Sequence, residues 1–156
     1  MPDGGAGPGV GGPLSHQIVR VARAHRRLAA ELLRRAGLHP GQELMLMLLW
    51  EQDHRPQSEL VGRLGVEAPT VTKMLQRLEQ QGLVVRERPA ANRRTAVVSL
   101  TPKGRGLRRE VQELWAALEE ATTADLDPAD RRTLGRLLER VENSLSDDKP
   151  GDGVRG

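Results

Sequence analysis

Residues 57–104, QSELVGRLGVEAPTVTKMLQRLEQQGLVVRERPAANRRTAVVSLTPKG, constrain the fold more than any other stretch of the chain. Two short helical patterns meet there at one glycine, and two strand patterns follow them at once. The first helix, about Gln57 to Leu64, points Leu60, Val61 and Leu64 inward. Gly65 supplies the tight turn, where a residue able to take φ > 0 is favoured. The second helix, about Ala68 to Gln81, has Pro69 in its first turn, and Val71, Met74, Leu75 and Leu78 form an i, i+3, i+4, i+7 stripe. Gly82 ends it. Leu83 to Arg88 alternates as a strand, with Val84 and Val85 facing opposite ways, until Pro89 to Asn92 break it. Arg93 and Arg94 sit at the hairpin tip, and Thr95 to Leu100 return as the second strand. This order reads as a winged helix-turn-helix, which makes double-stranded DNA the first partner to test.

The flanking chain is mostly helical. Leu14, Ile18, Val21 or Ala22, His25, Leu28 or Ala29, Leu32 and Leu33 recur at helical spacing up to Gly37, among many arginines. A second helix, about Gly41 to Gln52, is apolar on nearly every side, which implies burial all round. Asp53 to Arg55 read as a polar turn. Thr101 with Pro102 is an N-cap and first turn for a helix running to about Thr122, burying Leu107, Val111, Leu114, Trp115 and Leu118. Asp127 with Pro128 opens the last helix in the same way, with Leu134, Leu137, Leu138 and Val141 as its stripe. Residues 1–13 and 146–156 are Gly-bearing polar segments with almost nothing to bury and read as disordered tails. The expected architecture is thus mostly α with a small β-hairpin wing. One domain covers residues 14–145, with 57–104 as its DNA-binding core and 14–37 and 102–145 as dimerisation helices.

Charge supports this reading. The net charge is only +3, but residues 55–109 carry twelve Arg/Lys against four Asp/Glu, while residues 110–156 carry six against twelve. The positive excess sits on the winged stretch, as expected of a DNA-binding face. An ordinary solvated surface is the bland alternative. No apolar run approaches the ~20 residues that span a bilayer. The N-terminus lacks the basic and apolar regions of a signal peptide, so no membrane role and a cytoplasmic location are expected. With no cysteine there is no disulfide or thiolate metal site, and with Trp50 and Trp115 as the only aromatics there is no base-stacking platform.

A helix that enters the major groove must offer short polar and basic side chains on one face while the other holds the core. The helix from Ala68 does so with Thr70, Thr72, Lys73, Gln76 and Arg77. Thr70 near its N-terminus also suits a phosphate. Arg93 and Arg94 suit a narrow minor groove, where the potential is most negative. Taken alone, that helix is also an ordinary amphipathic surface helix, and the arginines a solvated hairpin tip.

The run APTVTKMLQRLEQQGLVVRERPAANRRTAVVSLTPKG resembles the recognition helix, wing and following helix of MarR-type transcription regulators, and the resemblance extends over about Leu14 to Leu145. In that family the wing usually reads Asp-x-Arg. Here Asn92 stands in the aspartate's place and Arg94 matches the arginine. Asparagine can still accept a hydrogen bond, but it brings no charge to an ion pair. The resemblance implies a homodimer, built by the first helix with the last two expected helices, that binds a pseudo-palindromic operator as a ligand-responsive repressor. It also implies a small aromatic or anionic effector between the dimerisation helices and the winged module, for which His25, Arg26, Met45, Leu48, Leu49 and Trp115 are the candidates by position. The plainer role for His25, Trp50 and Trp115 is core or interface packing.

Other classes have less behind them. His16, His25, His39 and His54 are too scattered for a helix-borne metal pair, and no HExxH, GxSxG or phosphate-cradling glycine loop occurs. No catalytic residue, metal site or cofactor is therefore expected. A winged helix used for protein contact without DNA, and a metal-responsive regulator, stay open as alternatives.

Overall fold

In a computed structural model, residues 11–146 are described. The expected polar tails lie outside them, apart from Gly11 to Pro13 and Ser146. The element order is α1 (Pro13–Arg35), α2 (Gln42–Glu51), β1 (Arg55–Pro56), α3 (Gln57–Leu64), α4 (Ala68–Gln80), β2 (Val84–Glu87), β3 (Val97–Leu100), α5 (Pro102–Gly106), α6 (Arg108–Thr122) and α7 (Pro128–Leu145). The chain divides into two compact units at Leu118 and Glu119, inside α6.

The first unit holds the winged helix. Leu60 of α3, Val71, Leu75 and Leu78 of α4, and Met45, Leu46 and Leu49 of α2 pack with Val84, Val98 and Leu100 of the strands. Gly65 takes φ 63° between α3 and α4, as the turn requires. The sheet is antiparallel in the order β1-β3-β2, with Val84 opposite Leu100 and Glu87 opposite Val97. Alternation holds in β2, where Val84 is buried and Val85 exposed.

Three departures from the sequence reading have local causes. The turn expected at Asp53–Arg55 runs into a third strand, because Arg55 and Pro56 pair with Val98 and Val97. The single helix expected from Pro102 is divided at Leu107, between Gly106 and Arg108; the glycines at 104 and 106 lower its helical propensity. Finally, α2 is not buried all round. Leu44 is exposed, while Gln42 and Glu43 are buried. These two polar side chains turn back on the preceding loop, Gln42 Oε1 accepting from His39 N–H and Glu43 Oε2 from Gly41 N–H.

The segment after the wing is locked by hydrogen bonds. Thr101 Oγ1 accepts from Gly104 N–H at 3.0 Å and donates to Gly82 O at 2.6 Å. Thr101 N–H donates to Leu83 O, and Lys103 Nζ reaches Gln81 O at 2.8 Å. Trp50 Nε1 donates to Gly104 O at 2.9 Å. The start of α5 is thereby tied to both the end of α4 and α2.

In the second unit, Asp127 caps α7 by accepting from the N–H groups of Ala129 and Asp130. Arg131 reaches back to the carbonyls of Leu126 and Thr123. No described residue of α7 is buried, and Leu134, Leu137, Leu138, Val141 and Leu145 are exposed.

Candidate nucleic-acid interface

The side of α4 away from the core is polar and open. Thr70, Lys73, Gln76 and Arg77 are exposed, and among the described residues their side chains make no hydrogen bond or ion pair. Thr72 differs. It is half-buried, donates from Oγ1 to Ala68 O and accepts from Gln57 Nε2, both at 3.1 Å.

The wing loop is ordered by its own polar atoms. Asn92 N–H donates to Pro89 O, and Asn92 Oδ1 accepts from Arg94 N–H at 3.2 Å. Arg88 Nη1 donates to Arg93 O at 2.8 Å. Asparagine therefore fills the turn-forming role without a charge. The guanidinium groups of Arg93 and Arg94 remain exposed and without a partner among the described residues.

The basic residues between 55 and 109 sort into two groups. Arg55, Arg63, Arg86, Arg105 and Arg109 are ion-paired, with Glu51, Glu59, Glu79, Asp53 and Glu113 as the acids. Arg88 and Lys103 are spent on backbone carbonyls. The cations left uncompensated are Lys73 and Arg77 on α4, Arg93 and Arg94 on the wing tip, and Arg108 at the start of α6. The positive excess read from the sequence is thus concentrated on α4 and the wing tip, a surface that suits an anionic partner.

Two polar hubs tie α2, α3, β3 and α5 together, and neither was legible beforehand. Arg55 is 2% exposed. Its Nε donates to Leu48 O at 3.1 Å and Gln52 O at 3.0 Å, satisfying carbonyls at the end of α2. Its Nη1 pairs with Glu59 of α3, and its Nη2 lies 3.4 Å from Glu51. Asp53 accepts from Leu100 N–H at 2.9 Å, His54 N–H at 2.8 Å and Arg105 Nη2 at 3.1 Å. Burial alone would raise the Asp53 carboxyl, but these three bonds together hold it below the usual carboxylate range. His54 takes φ 56° and places Nδ1 2.6 Å from Ser99 Oγ. In the sequence both hubs fall in the stretch from Asp53 to Arg55, which reads only as a polar turn and signals neither.

A cavity of about 530 Å³ opens among α1, α2 and α6, within the first unit. Its size falls in the range of small-molecule sites. His25, Arg26 and Trp115 line it, together with Glu43, Leu44 and Leu114. Met45, Leu48 and Leu49 do not. Met45 and Leu49 face the core on the opposite side of α2, and Leu48 packs against that core. Helix α2 is apolar on several faces, so its sequence could not say which of its residues face the cavity. Glu43 is buried at the edge of this space, and that burial raises its carboxyl above the usual range, against the hydrogen bonds from the Glu43 and Gly41 N–H groups. Among the described residues, no group of His, Asp and Glu is placed to hold a metal ion.

The chain is similar to known proteins over most of its length. The family model described as MarR family matches residues 38–96. TtmR of Methylorubrum extorquens (strain PA1), an HTH-type transcriptional regulator, is 34% identical over 132 residues, covering 85% of this chain and 67% of that protein. YwoH of Bacillus subtilis (strain 168), described as an uncharacterized HTH-type transcriptional regulator, is 34% identical over 125 residues, covering 80% of this chain and 90% of that protein. Among solved structures, a mutant MarR from E. coli complexed with operator DNA is 28% identical with a TM-score of 0.76, covering 83% of this chain and 93% of that one.

Proposed function

The chain belongs to the MarR family, and from that premise we propose that it is a DNA-binding transcriptional regulator that acts as a homodimeric, ligand-responsive repressor on a pseudo-palindromic operator. The observation that carries the DNA contact is the sorting of cations: acids neutralise the structural arginines, while Lys73, Arg77, Arg93 and Arg94 are left open on α4 and the wing. In this reading Thr70, Thr72, Lys73, Gln76 and Arg77 meet base edges and phosphates in the major groove, and Arg94 with Arg93 enters the adjacent minor groove.

A second copy is supported by the apolar faces left open on the terminal helices. On α1, Leu14, Ile18, Val19 and Val21 are exposed; on α7, Leu134, Leu137, Leu138 and Val141 are. Faces of this kind favour self-association. Two-fold pairing would set the recognition helices about 34–36 Å apart, one turn of DNA. The cavity lined by His25, Arg26 and Trp115 is the effector site in this reading, and a small aromatic or anionic compound there would act by changing that spacing. The protein is a regulator rather than an enzyme, and a cytoplasmic location goes with its DNA partner. No described helix is long and apolar enough to cross a membrane.

The test is fluorescence anisotropy with a labelled duplex from the region upstream of the protein's own coding sequence. Affinity should fall steeply with salt, with a log–log slope of about −0.9 for each phosphate neutralised. Salt-independent binding, or none to any genomic fragment, would overturn the assignment. Titrating phenolic acids while following tryptophan fluorescence and DNA release tests the effector site.

A further inference from the structure

Thr72 stands among the residues assigned to DNA, yet its hydroxyl is already engaged. A threonine hydroxyl has one proton and two acceptor lone pairs. The proton goes to Ala68 O at 3.1 Å, and one lone pair takes the Gln57 Nε2 donor at 3.1 Å. Gln57 is itself anchored at the start of α3, where its backbone N–H donates to Ala96 O at 2.8 Å, just ahead of β3. Thr72 therefore has no proton to offer a base. What it keeps is a second lone pair, which can only accept, and its methyl group.

The same two bonds decide where that methyl stands. In a helix, threonine divides between two χ1 wells because its Oγ1 can bond a carbonyl one turn back. Bonding to Ala68 and Gln57 together selects one of them. Resting on the assignment of α4 to the major groove, we infer that Thr72 specifies thymine by apolar contact between its methyl and the C5-methyl of the base. Gln57 is then a positioning residue that fixes the Thr72 rotamer while tying it to the root of the wing. Thymine alone among the four bases presents a methyl group in the major groove, so this contact discriminates without a hydrogen bond.

The experiment uses the full chain and a duplex of about 30 base pairs, roughly two half-sites one helical turn apart, selected in vitro from a randomised library. Each thymine is replaced in turn by uracil, which removes only the C5-methyl. At one position per half-site, uracil should weaken wild-type binding by about fourfold, the equivalent of one buried methyl-sized group. Thr72→Val, which loses the hydroxyl but keeps a methyl that its own β-branching confines to one χ1 well in a helix, should show the same thymine preference. Thr72→Ser, which keeps the hydroxyl and its bonds, should bind more weakly and be indifferent to uracil. Gln57→Ala should shrink the thymine-to-uracil ratio with its thermal melt unchanged, a readout that a purely structural role would not move. Uracil without effect at every position, or Thr72→Val losing the preference while Thr72→Ser keeps it, overturns the inference and leaves DNA binding standing. Failure to bind any duplex in a salt-sensitive way removes the premise and the inference together.

Discussion

Trp50 donates its indole N–H to the carbonyl of Gly104 at 2.9 Å, joining two residues 54 positions apart. The bond clamps α2 onto the helix that follows the wing. Gly104 can sit there because it has no side chain: a Cβ would stand 2.1 Å from Leu83 O and 3.1 Å from Leu83 C. The Thr-Pro-Lys-Gly run at 101–104 is therefore a latch, with Thr101 capping Gly104 N–H and gripping Gly82 O.

Gly104→Ala should break that latch. The clash is with backbone, so α5 must shift, and the loss should be about 3 kcal/mol. Urea denaturation followed by tryptophan fluorescence measures it. A loss below about 1 kcal/mol would mean that α5 moves freely, contrary to its four ties.

Arg55→Lys should be far from conservative. An ammonium cannot reproduce the fork that serves two carbonyls of α2 together with Glu59 and Glu51. A destabilisation of about 2–4 kcal/mol is expected, because breaking a buried pair leaves Glu59 and the α2 carbonyls poorly served. An unchanged urea midpoint would show that the guanidinium contributes little.

Asp53 and Glu43 should give stability profiles of opposite sign with pH. The folded Asp53 carboxyl lies below its unfolded value, so its contribution is present above the usual carboxylate range and lost as pH falls through the lower folded value. Asp53→Asn should lower Tm at pH 7, with the gap closing in acid. The folded Glu43 carboxyl lies above its unfolded value, so its contribution is full in acid and lost as pH rises through the raised value. Glu43→Gln keeps an acceptor for Gly41 N–H and should hold or raise Tm at pH 7, with no gain at low pH. Calorimetry from pH 3 to 8 reads both, and parallel profiles would contradict the assigned causes.

On DNA, Arg94→Ala and Gln76→Ala should separate position from sequence. Arg94→Ala should weaken every duplex alike and make the salt slope shallower by about 1. Gln76→Ala should change which base is preferred at one position while leaving the slope unchanged. Equal loss on all sequences for both variants would remove Gln76 from base readout.

Much of the fold was legible because its signals are local. Pro69 and Gly65 punctuate α3 and α4, the four-residue stripe from Val71 to Leu78 fixes which face of α4 is buried, and Thr101 and Asp127 cap helices where their side chains reach the next N–H groups. The polar face of α4 and the arginines of the wing followed from the same periodicities. Arg55 was not legible, since a charged residue within a polar turn reads as exposed until α2, α3 and β3 are seen to surround it. The cavity residues on α2 were not legible either, because a helix apolar on several sides does not declare which side meets which neighbour. The inferred thymine contact of Thr72 depends on its proton going to Ala68 O, one turn back, and on the donor from Gln57, 15 residues earlier, helping to fix its rotamer. Sequence by itself determined the elements and their faces, because these depend on neighbours within one turn or one strand. Only the tertiary structure decided which polar atoms are consumed across the fold and which stay free, because bonds such as those from Gln57 to Thr72, Trp50 to Gly104 and Arg105 to Asp53 form only when segments far apart in the chain approach one another.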